Sequence, residues 1–301
     1  MMVRIVFAVT SWACIVSTAG AGEFALEALA DGIYVHRGVH ADLDSPARGD
    51  SANLAYIEGD KCLAVIDSGG SLATGTAFAG ALRARSPKPV CYLINTHVHF
   101  DHVLGNAGLA GPDTRVVGHA ALADAITASR EFFAEAFAPE LDGAAVIGPQ
   151  VLVDDVLELD LGGRKLRLVA QPPAHTQTDL TVLDLATRTL FTGDLVSRER
   201  LPVLDGNLLG WIAWLEQAMQ EDYALVVPGH GAPDAAWPQG AQALLAYLTV
   251  LRDGTRKAIA EAVFIEDAKS VVAKDALAGW ALTERAHPLN VSRAYRELEW
   301  E

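Results

Sequence analysis

The stretch Thr96-His97-Val98-His99-Phe100-Asp101-His102 decides the interpretation of this sequence. Three imidazoles and one carboxylate follow the apolar run at 90–94, a run typical of a buried strand. Buried polar side chains cost free energy unless they find partners. A metal ion would be such a partner, because neutral imidazole and carboxylate are good zinc ligands. The alternative is a surface loop that is merely rich in histidine.

Composition indicates an acidic globular protein. Of the 301 residues, 51 % are hydrophobic and 20 % are charged, which is enough apolar material for a core. The 23 Lys and Arg residues against 38 Asp and Glu residues give a net charge of −15. Because nucleic-acid binding needs a basic surface, nucleic acid is excluded as an expected partner, whereas the acidic balance says little about the substrate.

The first residues have the pattern of a secretory signal. Arg4 supplies a short basic region, an apolar stretch runs from Ile5 to about Val16, and small residues follow as far as Ala21. We expect residues 1–21 to be a cleaved signal peptide and the mature protein to be periplasmic or secreted in a bacterium. The apolar stretch is shorter than the about 20 residues of a membrane span. No stable membrane insertion is therefore expected after cleavage, with an uncleaved anchor as the alternative.

Two cysteines lie beyond the signal, Cys62 and Cys91, each early in an apolar strand-like run. In an oxidising compartment such a pair can form a disulfide. The simpler interpretation is that the two residues are small buried hydrophobes. The sequence leaves both interpretations open.

Strand and helix patterns occur twice along the chain. Strands expected at 62–66 and 90–94 flank a helix expected over 72–85, which Pro87 and Pro89 end. A second set begins near residue 150 and includes a Gly162-Gly163 hairpin signal. We therefore expect one α/β layered domain over residues 22–301, with two similar halves dividing near residue 150.

Two helical segments carry particular expectations. Residues 120–138 are expected to be helical, with Phe132, Phe133 and Phe137 near one side, either as core or facing a cleft. The tail at 267–301 is expected to be mostly helical, with a break at Pro288.

Four further polar residues each stand at the end of a strand-like run. Ligand sites of α/β sheets collect beyond the strand ends, and neighbouring Gly and Pro residues let the backbone turn tightly there. Each residue taken alone is more simply an ordinary loop residue. Together with the His cluster they are candidates for one site. They are Asp67, His175, Asp194 and His230.

The stretch THVHFDH resembles the HxHxDH signature of the metallo-β-lactamase fold superfamily. The later pieces His175-Thr176, Gly193-Asp194 and PGHG at 228–231 match that family as well. The resemblance covers nearly all of the mature chain. It implies an αβ/βα sandwich, in which two mixed β-sheets pack between layers of helices.

The resemblance also implies a dinuclear metal site. The expected ions are two Zn²⁺, with iron or manganese as alternatives. Asp67 would lie behind the ligands and hold the His loop in place. Carried over residue by residue, one ion would be bound by His97, His99 and His175, the other by Asp101, His102 and His230, and both by Asp194.

Such a site predicts an enzyme that performs metal-assisted hydrolysis. Two close cations lower the pKa of a bridging water, so that hydroxide is available at neutral pH. Asp101, the expected catalytic residue, would orient the hydroxide and pass a proton to the leaving group. The expected reaction is cleavage of an ester, thioester, lactone or related bond in a small molecule.

The bridging residue, the two half-sites and several longer stretches indicate which branch of the superfamily the chain resembles. The carboxylate at Asp194 resembles the glyoxalase II, lactonase and phosphodiesterase branches, and two complete half-sites differ from the mono-iron sulfur dioxygenases. Longer stretches, such as 202–206 and 295–301, resemble the quinoprotein relay system zinc metallohydrolases. Those proteins are exported and encoded alongside quinoprotein dehydrogenase systems, so a functional link to such a dehydrogenase is expected.

Three other residues are candidates for substrate contact: His40, Arg198 and Asp205. Arg198 can bind a carboxylate or phosphate, although a surface arginine is the simpler interpretation. Two other functions stay open. One is a β-lactamase, or an iron enzyme with the same ligands, and the other is a non-catalytic metal-binding accessory factor.

Overall fold

The computed structural model describes residues 24–301. The signal peptide expected over residues 1–21 lies outside them. No helix in the described part of the chain combines the length and the apolar character that a bilayer crossing requires.

The first of two mixed sheets is formed by the N-terminal half of the described residues. Its first four strands pair antiparallel, and from the fourth strand onward the pairing is parallel. In chain order, which is also their spatial order, the strands are β1 (Glu27–Ala30), β2 (Ile33–His36), β3 (Leu54–Glu58), β4 (Leu63–Ile66), β5 (Val90–Ile94), β6 (Arg115–His119) and β7 (Val151–Val153).

The second sheet follows directly in sequence. Its strands are β8 (Val156–Asp160), β9 (Lys165–Ala170), β10 (Leu180–Asp184), β11 (Thr189–Ser197) and β12 (Leu225–His230). They lie in the spatial order β12-β11-β10-β9-β8, and all pair antiparallel except β11 with β12. Gly162 and Gly163 join β8 to β9 with positive φ values of 91° and 80°, as the expected hairpin requires.

Helices cover the outer faces of both sheets or line their edges. Short 3₁₀ turns occur at Arg48–Asp50 and Lys274–Leu277. The α-helices are α1 (Leu72–Arg85), α2 (Phe100–Val103), α3 (Asn106–Leu109), α4 (Leu122–Ala128), α5 (Arg130–Ala136), α6 (Ala138–Leu141), α7 (Leu208–Ala218), α8 (Gln239–Ala260), α9 (Ile265–Val271) and α10 (Thr283–Leu298).

The main core lies between the two sheets. Ile66 and Ile94 of the first sheet pack in one buried cluster with Leu168 and Val182 of the second. On the outer side of the first sheet, α1 buries Phe78 in a separate cluster. A third cluster packs α7, α8 and α10 together next to β11. This layering confirms the predicted αβ/βα sandwich.

The strand β4 shows why its sequence is apolar without alternation. Ala64 and Ile66 face the core between the sheets, whereas Leu63 and Val65 face the cluster under α1. A strand covered on both faces needs apolar residues at every position. Burying each Leu, Ile or Val side chain stabilises the fold by about 1.5–3 kcal/mol.

Two helical expectations need correction. The segment expected as one helix over 120–138 is divided into α4, α5 and the start of α6. The break expected at Pro288 was wrong, because α10 continues through that residue. Proline removes a single backbone hydrogen bond, and the buried side chains of Ala286, Val291 and Ala294 hold the helix against the core on both sides of it.

Cys62 and Cys91 form a disulfide, with their Cα atoms 5.8 Å apart and a sequence separation of 29. Cys62 directly precedes β4, and Cys91 is the second residue of β5. The disulfide therefore lies at the opposite ends of these strands from Asp67 and His97, which follow their last residues. The sequence left open whether the two cysteines are bonded or are separate buried side chains, and in the structure they are bonded.

Removing this cross-link is expected to lower stability without changing metal binding. For the Cys62→Ala/Cys91→Ala variant we expect the free energy of unfolding to fall by about 2–4 kcal/mol, because the closed loop no longer restricts the unfolded chain. Urea unfolding measures this loss, and wild-type protein in reducing buffer is the matched control. An unchanged midpoint in oxidising buffer would contradict the expectation.

Candidate metal centre

The candidate ligands meet at one edge of the sandwich because of where their strands end. Strand β5 leads into His97 and His99, and the short helix α2 follows with Asp101 and His102. Asp194 lies within β11, where a register shift interrupts the pairing with β12. His230 is the last residue of β12, and His175 lies on the loop between β9 and β10.

Two glycines make this close approach possible. A Cβ added at Gly193, which has φ +51°, would lie 2.6 Å from Thr96 Oγ1. A Cβ at Gly229 would lie 2.0 Å from Asp194 Oδ1. Real Cβ atoms do not come this close to other atoms, so only glycine lets Thr96, which follows β5, approach β11 and lets β12 approach Asp194.

The seven candidate ligands form two adjoining groups. Within each group, one ligand atom from every residue lies within 4.8 Å of the others. All seven side chains are buried except that of His99, which is partly exposed to the cavity above it. The first group is His97, His99, His175 and Asp194, and the second is Asp101, His102 and His230.

Asp194 lies between the groups and faces both. Its Oδ2 is 3.6 Å from His175 Nε2 and 3.1 Å from His230 Nε2. Its Oδ1 is 3.4 Å from His102 Nε2. One carboxylate thus contacts members of both groups, which is the position that a shared ligand needs.

The donor set fits divalent metal ions. Four buried atoms of the cluster have no hydrogen-bond partner among the described residues: His97 Nε2, His102 Nε2, His175 Nδ1 and Asp194 Oδ1. A buried polar atom without a partner costs about 1–3 kcal/mol. Nitrogen and carboxylate oxygen atoms that converge in this way are the donors that zinc and similar ions accept.

Asp67 fixes the orientation of two imidazoles from behind. Its carboxylate accepts hydrogen bonds from His102 Nδ1 at 2.7 Å and from the Thr96 amide and hydroxyl, both at 2.8 Å. Because the Thr96 hydroxyl donates to Asp67, it accepts from His97 Nδ1 at 3.0 Å. Both rings therefore carry a proton on Nδ1 and turn Nε2 toward the cluster.

Residues on the early loop position the second group, and the sequence analysis did not single them out. Ser51 accepts a hydrogen bond from His230 Nδ1 on its carbonyl at 2.8 Å, and its hydroxyl donates to Asp101 Oδ2 at 2.7 Å. Asn53 Nδ2 donates to the carbonyls of Pro228 and Gly231 on either side of His230. Isolated Ser and Asn residues carry no pattern that would have revealed these roles.

The pKa shifts of His97, His175 and Asp194 suit metal binding, whereas the carboxylates of Asp67 and Asp194 outweigh burial and raise the pKa of His102 well above its usual value. Burial, reinforced by neighbouring imidazoles, lowers the pKa of His97 well below its usual value and lowers that of His175 to about 3. Burial alone would raise the pKa of Asp194, but His230 and His102 outweigh it and hold that pKa well below the ordinary range. The two imidazoles are thus neutral and Asp194 is ionised, as metal coordination requires.

Asp179 is a further buried carboxylate that sequence reasoning missed. It accepts hydrogen bonds from the Thr176 amide at 2.9 Å and the Thr176 hydroxyl at 2.7 Å, which closes the loop that carries His175. Burial raises the pKa of Asp179 to about 7. The spacing of Thr176 and Asp179 is typical of such a local turn and was the available signal.

A cavity of about 370 Å³ opens above the centre and is bordered by His99, Asp101 and Asp194. Asp205 also borders it, and its Oδ2 lies 3.2 Å from His99 Nε2. Arg200, which the sequence analysis did not select, also borders the cavity, and its Nη1 lies 3.3 Å from Asp101 Oδ2.

The other two candidates for substrate contact lie elsewhere. Arg198 donates to the Ala232 carbonyl at 2.9 Å, and the His40 ring lies 3.0 Å from Glu199 Oε2. Neither side chain lines the cavity. Substrate contact by His40 and Arg198 stays a prediction.

The architecture has counterparts among solved structures. A metallo-beta-lactamase from Pontibacter korlensis superposes with a TM-score of 0.61 at 17 % identity, covering 75 % of this chain and 98 % of that one. A stereoselective inverting sec-alkylsulfatase from Pseudomonas sp. superposes with a TM-score of 0.69 at 16 % identity, covering 92 % of this chain and 50 % of that one. Likeness at these identities shows the fold alone.

Sequence comparison extends the match. The alpha subunit of 2,4-dinitroanisole O-demethylase from Nocardioides sp. (strain JS1661) is 25 % identical over 178 residues, which are 58 % of this chain and 51 % of that protein. The chain thus spans about half the length of this relative. The model of the metallo-beta-lactamase superfamily matches residues 47–230, which include every candidate ligand. The chain therefore belongs to the metallo-beta-lactamase superfamily.

Proposed function

We propose that the protein is an exported dizinc hydrolase that cleaves an ester, thioester, lactone or related bond in a small molecule. The observation that carries the proposal is the convergence of seven side chains, with Asp194 between two groups and with buried Nε2 atoms that have no partner among the described residues. The bound ions would supply Lewis acidity and would lower the pKa of a water molecule. The proposal places His97, His99 and His175 around one ion and assigns Asp101, His102 and His230 to the other.

Asp101 is the proposed proton carrier. Its Oδ2 is occupied by the Ser51 hydroxyl, whereas its Oδ1 has no hydrogen-bond donor among the described residues and the side chain borders the cavity. Burial alone would raise the pKa of Asp101, but His102, Arg200 and His230 outweigh it and lower that pKa. The carboxylate is therefore ionised, and Oδ1 can accept a proton from water and deliver it to the leaving group.

Export and a link to a quinoprotein dehydrogenase are parts of the proposal that rest mainly on sequence. The signal pattern at residues 1–21 and the disulfide between Cys62 and Cys91 both suit an oxidising compartment. The resemblance to quinoprotein relay system metallohydrolases supports the functional link. Co-purification with a dehydrogenase from the same cells would test that link.

Hydrolase profiling of the zinc-loaded protein tests the activity. The panel contains ester, thioester, lactone, phosphodiester and β-lactam substrates, with a chelator-treated sample and the Asp101→Asn variant as controls. We expect hydrolysis of at least one class, its loss on chelation, and its return with added zinc. Because a positioned proton carrier contributes roughly 10²–10⁴-fold, Asp101→Asn should lose about that much activity.

The same panel separates the competing functions. Efficient hydrolysis of the β-lactam alone would favour a β-lactamase, and activity restored only by iron would favour an iron enzyme. A metal-loaded protein that hydrolyses nothing in the panel would contradict the proposal and favour an accessory factor.

A further inference from the structure

The cavity above the metal centre has an exposed apolar mouth. Phe132 on α5 is 57 % exposed and Leu289 on α10 is 42 % exposed, and both border the cavity from different elements. Large apolar side chains left in water beside a concave site mark a surface that a ligand covers. The mouth therefore suits an apolar group of the bound molecule.

The aromatic side of this mouth is held in place by its neighbours. Phe100 and Phe137 stack with ring centroids 4.4 Å apart, and the Phe132 ring meets Phe137 edge-on at 5.7 Å. The Arg48 guanidinium lies 4.8 Å above the Phe137 ring and donates to Glu140 at 2.6 and 2.7 Å. Phe132 thus stands on a fixed aromatic base and offers a preorganised surface.

Next to Asp101, the same cavity is bordered by a guanidinium with unused donors. The Arg200 side chain is 17 % exposed, and its Nη1 lies 3.3 Å from Asp101 Oδ2. Its Nη1 is also 3.1 Å from His230 Nδ1, but that nitrogen already donates to Ser51. The described residues provide no hydrogen-bond acceptor for Arg200 Nε or Nη2.

The other arginines around the cavity are already paired. Arg293 binds Asp205 Oδ1 at 2.8 Å and the Leu204 carbonyl, and Arg285 binds Asp42 and Asp44 at the entrance. Arg200 is therefore the guanidinium most able to accept a new anion. Its planar fork matches a carboxylate, sulfate or phosphate group, and such charge-assisted bonds are strong where water is scarce.

We propose that the substrate is an anion with an aromatic or bulky apolar body, an inference that rests on the hydrolase function proposed above. The apolar body lies between Phe132 and Leu289, and the anionic group binds Arg200 next to Asp101. This arrangement brings the bond between the two parts of the substrate toward the metal centre.

Binding of three matched probes tests this inference independently of turnover. Naphthalene-2-sulfonate has both parts, methyl 2-naphthyl sulfone has the body without the charge, and methanesulfonate has the charge without the body. By calorimetry on the zinc-loaded protein, we expect the first probe to bind at least tenfold more tightly than either of the others. Zinc content and thermal unfolding are measured in parallel to confirm that each variant is folded and loaded.

Variants test which residue binds the anionic group of the probe and which binds its apolar body. In Arg200→Gln we expect the sulfonate to bind no better than the sulfone, with Arg167→Gln as the control that keeps the difference, because Arg167 lies outside the cavity and pairs with Glu158. In Phe132→Ala we expect both naphthyl probes to weaken at least threefold, with Phe264→Ala as the control because that ring is 78 % exposed and lies outside the cavity. Arg200→Lys should recover part of the preference for the charged probe.

Two results would overturn the inference. One is equal affinity of the wild-type protein for the sulfonate and the sulfone, and the other is an unchanged ratio in Arg200→Gln. Failure of the hydrolase panel alongside the expected binding pattern would instead refute the proposed function while retaining the ligand class. The two failures are therefore distinguishable.

Discussion

The Asp194→Ala variant should lose metal and activity more completely than any variant of a single histidine in the cluster. Its carboxylate contacts His175 in one group and His102 and His230 in the other, so its removal weakens both groups at once. Residues that merely support metal ligands contribute roughly 10–100-fold to affinity or activity, and a shared ligand should exceed that range. Metal content by plasma mass spectrometry and hydrolysis of the best panel substrate measure the effect.

A matched buried carboxylate separates this effect from a loss of stability. Asp184 on β10 is fully buried and pairs with Arg164 at 2.8 Å, away from the centre. We expect Asp184→Ala to lower the free energy of unfolding, because it leaves a largely buried guanidinium unpaired, while metal content is unchanged. Asp194→Ala that retained both metals would show that this carboxylate does not join the two groups.

Replacing Asp67 should have the second-largest effect, through the orientation of the ligands. Asp67→Ala removes the acceptor for His102 Nδ1 and for two donors of Thr96, all of them buried. We expect metal affinity to fall roughly 10–100-fold. The free energy of unfolding should also fall, because each buried donor left unpaired costs about 1–3 kcal/mol. Chelator competition and urea unfolding measure the two losses.

The Asp67→Asn variant separates the effect of losing the carboxylate from the effect of backbone strain. Asp67 has φ +58°, a left-handed conformation that asparagine adopts more easily than alanine. Backbone strain therefore contributes little to the effect of this variant, and its loss of affinity reports the missing carboxylate oxygen. Equal metal affinity of Asp67→Asn and wild type would contradict the role assigned to this residue.

The candidate ligands could be found from the sequence because their chemistry is conspicuous. Histidine and aspartate placed directly after apolar strands, beside Gly and Pro, are unusual enough to stand out, and the parallel strands β4 and β5 carry Asp67 and His97 to the same edge. The αβ/βα sandwich was predicted from the resemblance of the stretch at 96–102 to the metallo-β-lactamase signature. The positions of β4 and β5 and the extent of α1 were also predictable, because apolar runs mark the strands and Pro87 and Pro89 mark the end of the helix.

The walls of the cavity could not be found in this way. Arg198 and Arg200 are two residues apart on one loop, and only Arg200 borders the cavity. Which of them faces inward depends on the register shift in β11 and on the left-handed turn at Glu199, with φ +66°. Neither feature has a sequence signal, because Glu is not a residue that favours positive φ.

The segment at 120–138, with its three phenylalanines, also could not be predicted fully from sequence. Helical periodicity placed Phe132, Phe133 and Phe137 near one side, but the chain breaks into short helices there. All three rings border the cavity, but Phe133 and Phe137 are buried in the core, whereas Phe132 is exposed at the mouth. Tertiary packing, which no local pattern encodes, decided between core and cleft.

The most direct test of the central claim is the metal content of the wild-type protein, purified from an oxidising compartment without added metal or chelator. The seven-residue centre predicts two divalent ions per folded chain and a marked loss of both in Asp194→Ala. Folded wild-type protein that carries no stoichiometric metal, and takes none up from zinc-containing buffer, would contradict it.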